Sequence, residues 1–124
     1  MIYLDTHVLL WLHAGLLDRF TTKGCRMLEQ NELLISPFVK LELQYLFEIR
    51  RTTVQAQQIV NDLDGQIGLI VCDLPFDTVV NRAMALDWTC DPFDRLISAQ
   101  AMCREIPLLT KDKTIRRRLK LATW

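Results

Sequence analysis

The sequence predicts an α/β protein, a three-layer α/β/α sandwich around a short and mostly parallel central sheet. Short apolar runs of strand length alternate with longer segments of helical period along the 124 residues. Such alternation requires crossover connections, which make neighbouring strands parallel and cover both faces of the sheet with helices. No stretch rich in proline, glycine or serine interrupts the pattern, so we expect residues 1–124 to form a single domain.

Apolar runs and helix-capping residues define the elements of the first half of the chain. In order, we expect a strand at residues 2–4, a helix from Asp5 or Thr6 through Leu16, a helix from Thr21 or Thr22 to about residue 30, a strand at 33–35, a helix from 37 to about 50 and a helix from Thr53 to about Gly65. Serine, threonine and aspartate mark helix starts because their oxygen atoms accept hydrogen bonds from free N–H groups of the first turn. Ser36-Pro37 is the clearest signal, since proline suits the first helical turn.

The second half continues the alternation with shorter strands. In order, we expect a strand at residues 69–71, a helix at about 77–86 after Pro75, a helix at about 92–105, a strand at 108–109, a short basic helix at about 114–119 and a final apolar stretch at 121–124. Asp91-Pro92 repeats the cap-and-proline signal, and Pro107 marks the boundary before the fourth strand.

Four acidic residues lie at the ends of these elements or on an apolar face. Asp5 ends the first apolar run, Asp112 follows the fourth, and Asp94 lies about three residues into a helix. Ligand sites of open parallel sheets gather beyond the carboxyl ends of the strands, where these acids are expected. Glu42 interrupts the third helix. Together, the four carboxylates predict a site for a divalent metal.

The position of Glu42 follows from the helical period. The polar stripe of the third helix is Lys40, Gln44 and Glu48, and the opposite side carries Phe38, Leu41, Tyr45 and Ile49. Glu42 falls with the apolar set. An unpaired carboxylate there costs several kcal/mol, so Glu42 needs a basic partner, a proton or a metal.

Each acid also has a simpler interpretation. Asp5 could cap a helix, Asp94 could stabilise a first helical turn, and Asp112 could belong to a turn. Glu42 could pair with Arg95 or with a basic residue near the C-terminus. Each of these interpretations explains one acid, whereas a single divalent site explains all four.

The chemistry of the four side chains indicates Mg²⁺ or Mn²⁺. These hard cations prefer carboxylate oxygen, and an acids-only cluster disfavours zinc. Mg²⁺ held by carboxylates commonly completes its shell with phosphate oxygens, so the expected substrate is a phosphodiester or a phosphate ester. Such an ion activates bound water and neutralises charge on the attacked phosphate.

Composition limits the possible classes of protein. Fifteen basic and fifteen acidic residues cancel, so the overall charge gives no argument for nucleic acid or membrane binding. No apolar run is long enough to span a membrane, and residues 1–17 lack the basic start and the cleavage site of a signal peptide. The four cysteines form no C-x-x-C pair, which is typical of reduced thiols, so a cytoplasmic protein is expected.

Basic residues are concentrated near the C-terminus. This cluster contains Lys111, Lys113, Arg116, Arg117, Arg118 and Lys120, and a smaller one contains Arg50 and Arg51. Either cluster could face phosphate, although such a run is also typical of a solvated helix face.

The order of these motifs resembles the PIN domain, and more narrowly the VapC-type toxin ribonucleases of type II toxin–antitoxin pairs. The resemblance spans the chain and rests on Asp5-Thr6-His7 after the first strand, Glu42 in the third helix, residues 91–101, Thr110-Lys111-Asp112 and the final Trp124. Its most specific part is the stretch at residues 91–95. One departure is Cys90, at a position that is often basic or histidine in such sequences.

The resemblance implies a PIN-like α/β/α fold and a metal-dependent enzyme that cleaves single-stranded or looped RNA with Mg²⁺ or Mn²⁺. The implied catalytic and metal-binding acids are Asp5, Glu42, Asp94 and Asp112. The implied supporting residues are Thr6, Asp91, which we assign to capping its helix, and Thr110, through hydrogen bonding. Our first hypothesis is such an endoribonuclease, and its candidate RNA contacts are Arg95, Lys111, Arg116, Arg117 and Arg118. A homodimer and a cognate antitoxin that inserts a segment near the acids are also implied.

A second hypothesis keeps the fold without the catalysis. The chain would then be a catalytically silent PIN-like binding or dimerisation module, with Leu46 and Phe47 at an interface. The complete set of acids argues against it, since a scaffold has no need for Glu42 on an apolar side. A receiver or haloacid-type phosphatase is disfavoured, because Asp5-Thr6-His7 has neither adjacent acids nor D-x-D.

Overall fold

The computed structural model describes all 124 residues, which form five strands and seven α-helices. The strands are β1 (Ile2–Leu4), β2 (Leu33–Ile35), β3 (Ile70–Val71), β4 (Leu108–Leu109) and β5 (Ala122–Thr123). The helices are α1 (Thr6–His13), α2 (Thr22–Gln30), α3 (Pro37–Glu48), α4 (Ala56–Ile67), α5 (Phe76–Ala83), α6 (Pro92–Arg104) and α7 (Lys113–Arg118), with a short 3₁₀ helix at Leu17–Arg19.

The central sheet is parallel throughout, with the strand order β3-β2-β1-β4-β5. β1 lies in the middle, where Tyr3 pairs with Leu34 of β2 and with Leu108 of β4. Parallel strands need crossover connections, and helices provide most of them here, which confirms the α/β/α sandwich predicted from the alternating pattern. The carboxyl ends of all five strands share one side of the sheet, the carboxyl edge.

The core consists of the central strands and the helices packed on them. Ile2, Leu4, Leu108 and Leu109 are completely buried, as expected for parallel strands covered on both faces. One continuous cluster of buried residues joins these strands to α1, α3, α4 and α6. The helices that carry the predicted site residues Thr6, Glu42 and Asp94 are therefore anchored to the same core. None of the helices is long and apolar enough to cross a bilayer.

The first helix is shorter than its apolar pattern predicted. α1 ends at His13, and Gly15 has a φ of 71°, which glycine adopts without the strain of a side chain. The chain turns there, so Leu16 lies outside the helix, and Leu17–Arg19 form a separate 3₁₀ helix that the sequence did not predict.

Other helix boundaries also differ from the prediction. α4 starts at Ala56 and not at Thr53, and it runs past Gly65 to Ile67, with Gly68 as its C-cap. Gly68 has a φ of 67°, the left-handed conformation that commonly ends helices. α3 and α5 also end before residues 50 and 86, where the apolar pattern had placed their ends.

Three of the four residues that the helical period assigned to the apolar side of α3 are exposed, and only Phe38 packs against the core. Leu41, Tyr45 and Ile49 are 57%, 49% and 44% exposed. Val39 and Leu43 are completely buried and form the true core side. The prediction was wrong because α3 is apolar on nearly every side, and spacing alone does not tell which apolar side faces the sheet.

The four cysteines are free thiols, as predicted. Cys72 follows β3 and is buried, and its sulfur accepts a hydrogen bond from the hydroxyl of Tyr3 at 2.8 Å. This contact ties the end of β3 to the central strand.

Candidate active site

Asp5 joins the end of β1 to the start of α1 at the carboxyl edge. Its Oδ1 accepts a hydrogen bond from the N–H of Thr6 (2.8 Å), which makes Asp5 the N-cap of α1. Its Oδ2 accepts one from Thr110 Oγ1 (2.6 Å), which follows β4. Burial raises the pKa of Asp5, and these two hydrogen bonds oppose the rise. The carboxylate is thus a helix cap and is also oriented by a residue 105 positions later.

Glu42 reaches the same edge from α3. Its carboxylate accepts a hydrogen bond from the hydroxyl of Thr6, which is completely buried. The only close contact between a basic and an acidic side chain joins His13 Nε2 and Asp62 Oδ2, 2.9 Å apart. The alternative interpretation of Glu42, a salt bridge to Arg95 or to the C-terminal basic cluster, is therefore wrong.

The N-terminus of α6 supplies two more acids. Asp91 is its N-cap, and Oδ1 accepts hydrogen bonds from the N–H groups of Phe93 (2.8 Å) and Asp94 (3.1 Å). Asp94 is the third residue of the helix, so its carboxylate projects from the first turn.

Asp112 is brought to the edge by the segment after β4. It is the N-cap of α7, where Oδ1 accepts a hydrogen bond from the N–H of Ile115 (2.8 Å). Its own N–H donates to Thr110 Oγ1 (3.0 Å), the same hydroxyl that donates to Asp5. Thr110 therefore links two of the four predicted acids.

The carboxylates act on one another electrostatically. Burial is the main cause that raises the pKa of Asp94 to about 7, and the charges of Asp91, Asp5, Asp112 and Glu42 raise it further. Burial likewise raises the pKa of Glu42 to about 7, with added contributions from Asp5 and Asp91. The structure thus brings the four predicted acids and Asp91 close enough to interact.

No three of these side chains converge on one point in this conformation. The oxygens of Asp5 and Asp112 are turned towards hydrogen-bond donors, and like charges repel one another. Each engaged oxygen retains acceptor capacity, since a carboxylate offers about four lone-pair sites. Carboxylates that raise one another's pKa suit a hard divalent cation, which would neutralise their charge. The residue types fit Mg²⁺ or Mn²⁺, through the acceptor capacity that remains on each carboxylate.

Two of the predicted RNA contacts lie near the acids. Arg95 donates through Nε to the carbonyl of Thr89 (2.7 Å), so part of its guanidinium anchors the loop before α6. Lys111 is exposed at the carboxyl edge, directly before Asp112.

The other predicted RNA contacts follow α7 away from that edge. Arg116, Arg117 and Arg118 are all exposed. Arg118 lines a surface cavity with Glu105 and Leu121, which precede β4 and β5, so it lies at the opposite edge of the sheet.

Three residues on α1 and the 3₁₀ helix, His7, Trp11 and Arg19, were not predicted as site residues. Burial raises the pKa of Asp5, and the electrostatic effect of His7 lowers it. His7 is therefore close to Asp5. The rings of His7 and Trp11 lie 6.2 Å apart on α1, and Arg19 lies over Trp11. The spacing of four residues between His7 and Trp11 could have indicated their shared face. Nothing in the sequence indicated Arg19, which depends on the 3₁₀ helix.

The chain is thus an α/β/α domain with a five-stranded parallel sheet, and acidic side chains gather at the carboxyl edge of that sheet. The family model described as the PIN domain matches residues 2–120. The chain belongs to the PIN domain family, which confirms the resemblance seen in the sequence.

Solved structures from toxin–antitoxin systems share the fold. A chain of VapBC2 from Rickettsia felis, bound to a DNA fragment from its promoter, is 21% identical with a TM-score of 0.65, and the match covers 98% of this chain and 96% of that one. A chain of a toxin–antitoxin complex from Klebsiella pneumoniae is 17% identical with a TM-score of 0.70, and the match covers 100% of this chain and 97% of that one. A chain of VapBC-1 from nontypeable Haemophilus influenzae is 16% identical with a TM-score of 0.60, and the match covers 100% of this chain and 96% of that one. No curated protein sequence matches the chain.

Proposed function

We propose that this PIN domain is a metal-dependent endoribonuclease, the VapC-type toxin of a toxin–antitoxin pair, that hydrolyses RNA phosphodiester bonds with Mg²⁺ or Mn²⁺. The supporting observation is that Asp5, Glu42, Asp94 and Asp112 come from four separate segments to one edge of the sheet. Crowded, partly buried carboxylates cost free energy unless a cation compensates for their charge, so a scaffold would gain nothing from them.

In this proposal, the surrounding residues hold the acids in position. The hydroxyls of Thr6 and Thr110 fix the carboxylates of Glu42 and Asp5 before any ligand binds. Asp91 caps α6 and so sets the position of Asp94 in its first turn. When bound by the four acids, the divalent ion supplies a water of lowered pKa and neutralises charge on the attacked phosphate.

The proposed protein partner is an antitoxin. The similar solved structures are toxin–antitoxin complexes, including the one from Klebsiella pneumoniae. An antitoxin segment that covers the carboxyl edge would inhibit the enzyme by denying RNA access to the acids.

A homodimer is proposed from the exposed apolar side of α3. Leu41, Tyr45 and Ile49 are spaced by four residues and form a continuous stripe. The ring of Tyr45 stacks on Phe93 of α6 at a centroid distance of 6.2 Å, which extends the stripe towards α6. Exposed apolar faces of this kind mark protein interfaces. Leu46 and Phe47 are half-buried, so this stripe is a better candidate.

The test of the catalytic proposal is cleavage of a mixed pool of structured RNAs with Mg²⁺, with Mn²⁺ and with EDTA. We expect metal-dependent cleavage that Asp94→Asn lowers roughly 1000-fold, equivalent to about 4 kcal/mol of transition-state stabilisation. Asp64→Asn is the matched control, because Asp64 is an exposed carboxylate on α4. Equal cleavage by Asp94→Asn would remove Asp94 from the mechanism. A wild-type protein that neither cleaves RNA nor binds Mn²⁺ would favour the silent binding module.

A further inference from the structure

We propose that Arg19 and Lys111 form a clamp for the phosphate backbone of single-stranded RNA beside the catalytic acids, with Trp11 as the positioning residue that holds both cations. The inference rests on the proposed function, because it assigns the place where the substrate of that site is held.

Two cations share one aromatic ring at the edge of the acid cluster. The guanidinium carbon of Arg19 lies 5.4 Å from the centroid of the Trp11 ring, and the ammonium of Lys111 lies 5.3 Å from it. Both distances fall within the range of about 6 Å for cation–π attraction. Neither cation has a carboxylate partner, since His13–Asp62 is the only close contact between a basic and an acidic side chain. Like charges held near one another without a counter-ion favour the binding of an anion.

Trp11 is well fixed for this role. Its ring packs edge-on against Phe20 and Trp124, with centroids 6.3 and 5.8 Å away. These partners come from the segment after the 3₁₀ helix and from the residue after β5, so two distant parts of the chain hold the indole that α1 carries. The ring that attracts both cations is therefore held by packing on two sides.

The clamp lies close to the acids. Trp11 is six residues after Asp5 along α1, a distance of about 9 Å along the helix axis. Lys111 stands between Thr110 and Asp112. A strand of RNA whose scissile phosphate lies at the acids therefore passes the two cations with a neighbouring phosphate.

Charge favours RNA as the occupant. The net charge of the chain is zero, and the acids themselves repel a polyanion, so attraction must come from a local group of cations. Of the two predicted RNA contacts near the acids, Lys111 has no hydrogen-bond or carboxylate partner, whereas Arg95 is tied to Thr89. Arg19 joins Lys111 through the ring of Trp11.

The test measures binding of a short fluorescein-labelled single-stranded RNA to the Asp94→Asn protein in EDTA by anisotropy, over a series of KCl concentrations. For Arg19→Gln and for Lys111→Gln, we expect the slope of log K against log salt to become shallower by about 0.7, the loss of one phosphate contact on a single strand. Arg82→Gln is the charge-matched control, because Arg82 lines the cavity beside Glu105 at the opposite edge. Its slope should stay unchanged.

The role of Trp11 is tested by a pair of substitutions. Trp11→Phe keeps an aromatic face and should retain most of the slope of log K against log salt. Trp11→Leu keeps apolar bulk without the aromatic face, so its slope should become shallower by as much as in the two cation variants combined. Melting temperatures show which variants are folded. If Trp11→Leu fails to fold, the two cation variants still decide the matter.

Each outcome separates the clamp from the catalytic proposal. Unchanged slopes for Arg19→Gln and Lys111→Gln, or no RNA binding at all, would overturn the clamp even if the wild-type protein cleaves RNA. Shallower slopes in a protein that cleaves nothing would support the clamp and contradict the nuclease. A third result would be unchanged slopes with RNA but weaker binding of polyglutamate by Arg19→Gln and Lys111→Gln. The two cations would then bind carboxylates of a protein partner, and the RNA clamp would be wrong.

Discussion

Thr6 and Thr110 are completely buried, and each uses its hydroxyl to hold the carboxylate of an acid on another element. A buried hydroxyl needs a partner, so these contacts satisfy the threonines and orient the acids at once. The free-energy cost of burying charged carboxylates falls on Glu42 and Asp94, and burial raises their pKa values to about 7. The acid cluster is thus a place where function and stability oppose each other.

This opposition predicts a pH dependence of stability. For Glu42 and Asp94, the pKa in the folded protein lies above the ordinary value, so protonation favours the folded state. Their contribution to stability is complete below about pH 4 and is lost as the pH rises towards about 7. In EDTA, wild-type protein should therefore lose stability relative to Asp94→Asn across that range, and the difference should level off above about pH 7.

Urea unfolding at a series of pH values, with EDTA present, measures this difference. Asp64→Asn should show no such trend relative to the wild type. A free-energy difference between wild type and Asp94→Asn that stays constant from acid to neutral pH would show that Asp94 titrates normally. Adding Mg²⁺ at neutral pH should stabilise the wild type more than Asp94→Asn, since a ligand stabilises only the form that binds it.

At the scale of elements, helix ends explain both the successes and the errors of the sequence prediction. The cap-and-proline signals placed α3 and α6 correctly at their starts, because Ser36 and Asp91 accept the first N–H groups of these helices. α4 has no side-chain cap at its start, so nothing local marked that boundary. Glu42 was placed near the site even though the assignment of the apolar sides of α3 was wrong.

The end of α6 offers a test of this view. Glu105 is its C-cap and has a φ of 54°, a left-handed conformation that costs a non-glycine residue about 1 kcal/mol. Glu105→Gly should therefore raise the melting temperature, by roughly 4 °C. Gly68→Ala, at the matching end of α4, should lower it by a similar amount, since φ is 67° there. Thermal unfolding followed by circular dichroism measures both, and a destabilised Glu105→Gly protein would show that the side chain of Glu105 outweighs the strain.

At the scale of the whole molecule, periodicity predicted the layers, but pairings between distant segments lay beyond it. The order β3-β2-β1-β4-β5 depends on which strands meet in three dimensions, and no local spacing encodes it. The same limit hid the contact of Trp124 with Trp11, which needs β5 beside β4. Acids at strand ends were predictable because the carboxyl edge collects them whatever the strand order.

The exposed stripe on α3 predicts the state of assembly. Leu41→Glu places a charge in the stripe and should convert a dimer to a monomer, because burying an unpaired carboxylate in an interface is costly. Leu17→Glu is the matched control, with 55% exposure compared with 57% for Leu41. Sedimentation velocity separates the two states. A wild-type chain that is monomeric at every concentration would contradict the proposed dimer.

The hydrogen bond from Thr110 to Asp5 spans 105 positions, and its consequence concerns synthesis. Domains begin to fold from the N-terminus while the ribosome adds roughly 5–20 residues per second. A growing chain contains Asp5, Glu42 and Asp94 before β4, Thr110 and Asp112 have been added. Nascent fragments still attached to the ribosome lack the completed carboxylate cluster. The proposed nuclease therefore stays incomplete until translation has passed Asp112.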